Sequence, residues 1–235
     1  MTKSAQIPIH SAFVLGSTSE VAKAICHELA RRGCMRFHLV ARNEEANQQL
    51  ASQLQGRYGA AVSTEQTDLL DDACLGSARL PLVGEYDLYL ITAGSLGDAE
   101  LARSDSAEAL RILAANVTGL IPWLTAIATV ERLARPSRLW VFSSVAADRG
   151  RPSNYHYGAA KAALTALCEG LMLRCHAKPF AVRLIKAGFM ATPITVGKAP
   201  AALCASPAAV ARHLLRRPHR RGIDYLPSWW SPPIL

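Results

Sequence analysis

The feature that most constrains the fold is a regular alternation of short apolar runs with longer, helix-compatible segments along the 235-residue chain. The runs have the length and the apolar content of buried strands. Predicted strands cover residues 11–15, 37–41, 61–66, 86–92, 138–142, 180–186 and 222–226, and predicted helices cover 20–32, 44–55, 106–133, 154–176 and 207–216. Because no linker or repeat interrupts the alternation, we expect one domain over residues 1–235. It should contain a doubly wound, mostly parallel sheet of seven strands with helices on both faces.

Small or polar residues follow six of these strands. They are Gly16, Arg42, Asp68, Gly94, Ser144 and Gly188. Ligands of such sheets bind beyond the carboxyl ends of the strands. We therefore expect the functional site on this rim.

The first turn runs through a glycine and three hydroxyl residues into a helix. Its residues are Gly16, Ser17, Thr18, Ser19, Glu20 and Val21. Such a turn presents backbone N–H groups and a helix N-terminus to a phosphate. An ordinary turn with Ser19 as the helix N-cap explains the same residues. The turn alone leaves both interpretations open.

The end of the second strand indicates a preference between dinucleotides. Arg42 and Asn43 follow this strand, and no acidic residue occurs there before Glu44. A carboxylate at this position would bind a ribose 2′-hydroxyl and repel a 2′-phosphate, whereas an arginine attracts the phosphate. The pattern favours NADP(H) over NAD(H), with a surface arginine in a loop as the alternative.

Tyr157 and Lys161 are the candidate acid–base pair, because residues four apart lie on one face of a helix. The lysine charge should lower the pKa of the phenol from about 10 towards neutrality. Ser144, thirteen residues upstream, offers a hydroxyl for a substrate oxygen. A buried tyrosine covered by a lysine stem explains the same spacing. Tyr155 is a weaker candidate, since Ala159 follows it at four residues.

Composition narrows the classes of partner. The net charge of +8 suits an anionic cofactor, substrate or surface, but the chain has no nucleic-acid-binding motif. Six scattered cysteines form no metal-binding pattern, so we expect reduced thiols, no metal and a cytoplasmic protein. The N-terminus lacks the apolar core of a signal peptide. The uncharged run 112–130 contains polar residues, which favours a buried or subunit-facing helix over a membrane span.

Taken together, these motifs resemble the classical short-chain dehydrogenase/reductase family along essentially the whole chain. The matching stretches are Gly16-Ser-Thr-Ser-Glu-Val-Ala22, Asp68-Leu69, Thr92-Ala93-Gly94, Asn116, Ser144, Tyr157-x-x-x-Lys161 and Gly188-x-x-x-Thr192. The resemblance implies a Rossmann-type NAD(P)-binding domain. It also implies an oxidoreductase that interconverts a ketone and a secondary alcohol by hydride transfer.

The resemblance also implies residue roles. Tyr157 would be the general acid/base, Ser144 would hold the substrate oxygen, Lys161 would bind the nicotinamide ribose, and Asn116 would hold a water in a proton relay. The implied cofactor contacts are Asp68 and Leu69 with adenine, Ala93 with the adenosine ribose, and Met190 and Thr192 with the carboxamide and phosphates. Gly16 to Val21, Arg42, Asn43, Gly94 and Gly188 complete this set.

Two places depart from the family pattern: Glu20 and Ala22 replace glycines, and Ala187 replaces a proline. Glu20 places a carboxylate at a helix N-terminus, near the expected diphosphate. The first turn and the segment 148–157 resemble a subgroup that reduces a keto-sugar on a polyprenyl-phosphate lipid, as decaprenylphosphoryl-2-keto-pentose reductase does. The implied substrate is a small-molecule or lipid-linked carbonyl or alcohol.

Further expectations concern partners. Five arginines between residues 212 and 221 precede Trp229 and Trp230, a combination that suits a peripheral contact with an anionic membrane face. Solvated arginines with an aromatic tail packed on a neighbouring subunit are the alternative. The apolar helices around Asn116 and Tyr157 suggest a homodimer or homotetramer.

Two other functions remain to be compared with the reductase. The missing family glycines motivate a non-catalytic NADPH-binding sensor or scaffold of the same fold, against which the intact Ser144, Tyr157 and Lys161 set argues. A nucleotide-sugar epimerase of the extended family is disfavoured, because 235 residues leave little room for its added substrate domain.

Overall fold

The computed structural model describes residues 8–71, 85–129, 134–191 and 204–227. Its strands form one seven-stranded sheet in the order β3-β2-β1-β4-β5-β6-β7, and every pairing is parallel. The strands are β1 (Ser11–Leu15), β2 (Arg36–Ala41), β3 (Ala61–Gln66), β4 (Leu88–Ile91), β5 (Arg138–Ser144), β6 (Ala181–Ala187) and β7 (Gly222–Leu226). The helices are α1 (Glu20–Arg31), α2 (Glu44–Tyr58), α3 (Ser106–Asn116), α4 (Ile121–Ile127), α5 (Tyr155–Arg174) and α6 (Pro207–Arg216).

Alternating residues of the strands face two separate cores. In β1, Ala12 and Val14 pack with helices α1, α2 and α6, whereas Phe13 and Leu15 pack with α4 and α5. The predicted doubly wound sheet with helices on both faces is therefore confirmed. The chain leaves β1 outwards to β3 and then returns to β4 on the other side of β1. This reversal makes the carboxyl ends of β1 and β4 the topological switch point, where ligands of such sheets bind.

The predicted continuous helix 106–133 is wrong, because the chain breaks after Asn116. A 3₁₀ turn (Thr118–Leu120) separates α3 from α4, and residues 130–133 lie outside the described part. Gly119 in this turn lies close to Leu69: a Cβ on Gly119 would be 2.4 Å from the carbonyl oxygen of Leu69. Pro122 then lies in the first turn of α4, where its missing N–H costs nothing.

This broken stretch is also the most membrane-like part of the described chain. Ser106–Ile127 has a mean hydropathy of 1.4 over its most apolar window, which is enough by length and composition to cross a membrane. Half of that window is buried inside the protein, where Trp123 and Leu124 pack into the core. A core helix has the same properties, so the finding adds no support for a membrane span.

The C-terminal arginines lie at the edge of the sheet opposite the cleft. Helix α6 returns the chain to the amino edge, and Arg217, Arg220 and Arg221 lie between its end and the start of β7. Strand β7 then spans five residues, about 16 Å. It ends next to Pro227 at the carboxyl edge, whereas Trp229 and Trp230 lie outside the described residues. The arginines and the start of the tail are therefore separated by the width of the sheet.

Candidate active site

A cleft of about 1110 Å³ opens at the carboxyl ends of β1, β4, β5 and β6. Its walls are the start of α1, the loops after β4, β5 and β6, and the first turns of α5. Ten predicted site residues line it: Thr18, Ser19, Glu20, Val21, Gly94, Ser144, Tyr157, Lys161, Gly188 and Met190. Thr192 lies outside the described residues.

The first turn brings β1 against the end of β4. Gly16 has φ +87°, and a Cβ on it would lie 2.5 Å from the backbone nitrogen of Ala93. Only glycine fits both this conformation and this approach. Ser19 caps α1, since its hydroxyl accepts the N–H of Ala22 at 3.1 Å. The predicted capping role is confirmed, and it leaves the start of α1 facing the cleft.

Ser17 does not present its side chain to the cleft. It is fully buried, and its hydroxyl donates to the Asn47 Oδ1 at 2.6 Å. The Asn47 amide in turn donates to the Leu39 carbonyl at 2.9 Å. This buried chain of hydrogen bonds ties the first turn to α2. Asn47 was not predicted, although a polar residue among the buried apolar positions of α2 was a usable signal.

Glu20, which replaces a family glycine, is paired along its own helix. Its carboxylate accepts from the Lys23 Nζ at 2.9 Å. Both side chains are partly exposed, so the pair contributes little to stability. It does reduce the negative charge that the start of α1 would otherwise present.

The residues after β2 lie beside this turn, because Val40 accepts the N–H of Gly16 at 2.8 Å. Asn43 caps α2 by accepting the N–H of Ala46 at 2.9 Å. Arg42 is exposed, and its guanidinium makes no ion pair within the described ranges. It stands outside the lining of the cleft and faces solvent.

Three predicted adenosine contacts also lie outside the cleft lining. The Asp68 carboxylate accepts the N–H of Leu70 at 3.1 Å. The carbonyl of Leu69 contacts Gly119. The N–H of Ala93 donates to the carbonyl of Leu15 at 3.1 Å. All three follow strands that end on the same rim as the cleft.

Strand β5 and helix α5 bring the candidate catalytic side chains together. Tyr157 lies in the first turn of α5 and lines the cleft together with Ser144 at the end of β5, whose hydroxyl accepts the N–H of Ala146 at 3.1 Å. The hydroxyl of Ser143 is instead held against α5, at 3.1 Å from the Lys161 carbonyl and 2.9 Å from the Thr165 hydroxyl. Ser144 is thus the serine positioned beside the tyrosine.

Burial controls the protonation of the pair. Lys161 is 4% exposed, and burial lowers its pKa to about 8. Burial raises the pKa of Tyr157 to about 12, and the nearby Ser144 hydroxyl opposes this shift only in part. The predicted net lowering of the phenol pKa is therefore wrong for this structure, because the effect of burial is larger than the effect of the neighbouring groups. The ammonium lies 5.7 Å from the centre of the tyrosine ring and donates to the Phe142 carbonyl at 3.2 Å.

Asn116 secures the loop after β4. Its amide donates to the carbonyls of Ser95 at 2.6 Å and Ile112 at 2.8 Å, and its Oδ1 accepts the N–H of Ser95 at 3.3 Å. A Cβ on Gly94 would lie 2.6 Å from this Oδ1 and 3.0 Å from the Lys161 Nζ. Asn116 and Lys161 therefore converge on the Gly94 backbone, although Asn116 itself does not line the cleft.

A second anchor of the same loop was not predicted. Glu108 on α3 is 7% exposed and accepts the N–H of Asp98 at 2.7 Å. Its ion pair with Arg111 lowers the pKa of the Glu108 carboxyl to about 2. The spacing of three residues between the two charges was the available signal. The contact fixes the loop that forms one wall of the cleft.

Comparison with known proteins gives consistent relatives. A family model described as short chain dehydrogenase matches residues 10–202. An uncharacterized oxidoreductase of Mycobacterium tuberculosis (strain H37Rv) is 32% identical over 201 residues, which are 84% of this chain and 80% of the relative. One from the mprA 5′ region of Streptomyces coelicolor is 31% identical over 213 residues, 90% and 84% of the two chains. The 3-oxoacyl-[acyl-carrier-protein] reductase of Haemophilus influenzae is 27% identical over 184 residues, which are 78% of this chain and 75% of the relative.

Solved structures share the architecture. A short-chain dehydrogenase from Sphingobium yanoikuyae in complex with NADPH has a TM-score of 0.80 at 22% identity, covering 92% of this chain and 87% of that one. A bulky-bulky ketone specific alcohol dehydrogenase from Comamonas testosteroni has a TM-score of 0.82 at 21% identity, covering 97% and 90%. At these identities the likeness shows the fold.

Proposed function

The chain belongs to the short-chain dehydrogenase family of NAD(P)-dependent oxidoreductases, and from this premise we propose that it reduces a ketone to a secondary alcohol with NADPH. Tyr157 is the general acid of this reaction. The observation that carries the proposal is that Tyr157, Ser144 and Lys161 all line one cleft of about 1110 Å³, with Lys161 one helical turn after Tyr157.

The cleft fits a dinucleotide together with a substrate. Its volume of about 1110 Å³ exceeds the range of about 300–1,000 Å³ usual for small-molecule pockets. The start of α1 supplies backbone N–H groups for a diphosphate, and Lys23 offsets the carboxylate of Glu20. Asp68, Leu69 and Ala93 would hold the adenosine half, and Gly188 and Met190 the nicotinamide half.

A preference for NADP(H) is supported by charge. Arg42 directly follows β2 and is exposed beside the first turn, and no acidic residue occurs after the strand before Glu44. A guanidinium there attracts a 2′-phosphate. The NADPH complex of the Sphingobium protein and the 5-hydroxy-NADP complex of an alcohol dehydrogenase from Thermococcus sibiricus show that this fold accommodates such cofactors.

The protein's own groups handle the proton and the substrate oxygen. NADPH, when bound, supplies the hydride. Ser144 donates a hydrogen bond to the ketone oxygen, and Tyr157 gives its proton to the same atom. The raised pKa of Tyr157 keeps the phenol in the donor form at neutral pH. Lys161, with a pKa of about 8, carries a charge below that pH and stabilises the tyrosinate that remains. Asn116 fixes the Gly94 loop beside this lysine; its part in a proton relay stays a prediction.

Removing one hydroxyl tests the proposal. Tyr157→Phe should lower kcat for ketone reduction about 10²- to 10⁴-fold, the usual contribution of a general acid, while the Kd for NADPH stays unchanged. Tyr155→Phe is the matched control, because that exposed ring lies two residues away and contacts the His156 ring at a tilt of 39°. Retained turnover in Tyr157→Phe would refute the mechanism. NADPH binding by the wild type without turnover of any ketone in a broad panel would favour the sensor.

Two narrower proposals follow from the same site. The segment 148–157, which resembles the lipid-linked keto-sugar reductases, borders the cleft. Turnover of a polyprenyl-phosphate keto-sugar would support that substrate.

An apolar hollow of about 530 Å³ lies between α4 and α5, beside the exposed Ile121, and supports a homodimer or homotetramer. Light scattering would measure the mass of the assembly.

A further inference from the structure

We propose that Arg151 selects ketones that carry an oxyanion, a carboxylate or a phosphate, and is the specificity-determining residue of the cleft. The inference rests on the proposed reductase function. Arg151 lies in the loop between β5 and α5, six residues before Tyr157, and lines the cleft next to Ser153 and Asn154. Its side chain is only partly exposed, so it borders the space a substrate would enter.

Arg151 is distinguished by its lack of a partner. Each of the other charged side chains that line the cleft has a partner. Glu20 forms an ion pair with Lys23, and Glu100 forms one with Arg103. The Asp98 carboxylate accepts the N–H groups of Glu100 and Leu101 at 3.0 Å each, and the Lys161 ammonium donates to the Phe142 carbonyl. Within the described ranges, the Arg151 guanidinium has no hydrogen bond and no ion pair. A cation in this position is available to a ligand.

The backbone that carries Arg151 is held in place. Arg103, in the loop after β4, donates to the carbonyl of Pro152 at 3.2 Å and pairs with Glu100 at 2.8 Å. The carbonyl of Arg151 accepts the N–H of Asn154 at 3.2 Å at the start of α5. Arg103 is a positioning residue that joins the two walls of the cleft. A guanidinium on a fixed backbone can present two parallel N–H donors to a carboxylate or a phosphate.

Matched ketone pairs test this inference. We would measure kcat/KM with NADPH for dihydroxyacetone phosphate against dihydroxyacetone, and for levulinate against its methyl ester. The wild type should favour the anionic member of at least one pair. Arg151→Gln should reduce that preference about 10- to 100-fold, mainly through KM, because a charge-assisted hydrogen bond is lost. Arg149→Gln is the control, since Arg149 is exposed and does not line the cleft. The pair that responds distinguishes a phosphate from a carboxylate.

A binding measurement separates this inference from the reductase proposal. Titration of the same two anions into NADPH-loaded Tyr157→Phe protein, with and without Arg151→Gln, should show weaker anion binding when the guanidinium is absent. Two results together would overturn the role of Arg151: turnover of ketones with no preference for the anionic member of a pair, and equal anion affinity with and without Arg151→Gln. The proposed reductase activity would still stand. Weaker NADPH binding by Arg151→Gln would also overturn it, because the arginine would then serve the cofactor. If no ketone is reduced, the reductase proposal fails and the titration alone decides the anion site.

Discussion

Replacing Gly16 by alanine tests whether the turn after β1 needs a glycine in order to lie against the end of β4. Gly16 has φ +87°, and an added Cβ would lie 2.5, 2.7 and 2.9 Å from backbone atoms of Ala93 and Thr92. These contacts are with backbone, so no side chain can move aside. Gly33 has φ +94° with nothing within 4 Å of an added Cβ, and it is the matched control.

The two variants separate conformation from contact. Gly33→Ala carries only the cost of a left-handed backbone, about 1–2 kcal/mol. Gly16→Ala carries the same cost and adds overpacking of about 1–3 kcal/mol, for a total of about 2–5 kcal/mol. Urea unfolding measures both free energies, and an NADPH titration should show weaker binding for Gly16→Ala alone, because the turn faces the cleft. Equal destabilisation of the two variants would refute the argument that the approach to Ala93 is what excludes a side chain.

Two further predictions concern charge and buried polar groups. Lys161 has a pKa of about 8 in the folded protein, so it is protonated below that pH and loses its charge above it. Ketone reduction should therefore decline above about pH 8. Lys161→Arg should move this decline to higher pH. Since the folded pKa of Lys161 is below the unfolded one, its own contribution to folding stability should grow between about pH 8 and 10.5. The wild type should therefore gain stability relative to a Lys161→Met variant over this range, and an unchanged difference between the two proteins would contradict the assignment. Asn47→Ala should cost about 1–3 kcal/mol in urea unfolding, because it removes the acceptor that lies 2.6 Å from the Ser17 hydroxyl and the donor to the Leu39 carbonyl. Gln48→Ala, at an exposed neighbour, should cost under about 0.5 kcal/mol, and equal losses would refute the buried network.

Local patterns predicted most of the regular elements. The bounds of β1, β3, β7 and α6 agree with the predicted ranges to the residue. Strand β1 is buried along its whole length and has abrupt apolar limits, and α6 begins at a serine cap followed by Pro207. The break after Asn116 was missed because the apolar pattern continues through it, although Gly119 and Pro122 are both helix-boundary signals. The sequence did not show that Leu69, fifty residues earlier, lies against Gly119.

The sequence by itself determined the order of strands and helices, and therefore which residues follow strand ends and lie on one rim. Periodicity and capping are properties of neighbours along the chain, so they can be read without coordinates. Only the tertiary structure decided which of these side chains reach the cleft. It turned Ser17 towards Asn47, directed the Lys161 ammonium to Phe142 and left Arg151 without a partner among the described residues. Burial and ionic pairing depend on residues far apart in sequence, and the protonation of Tyr157 follows from them.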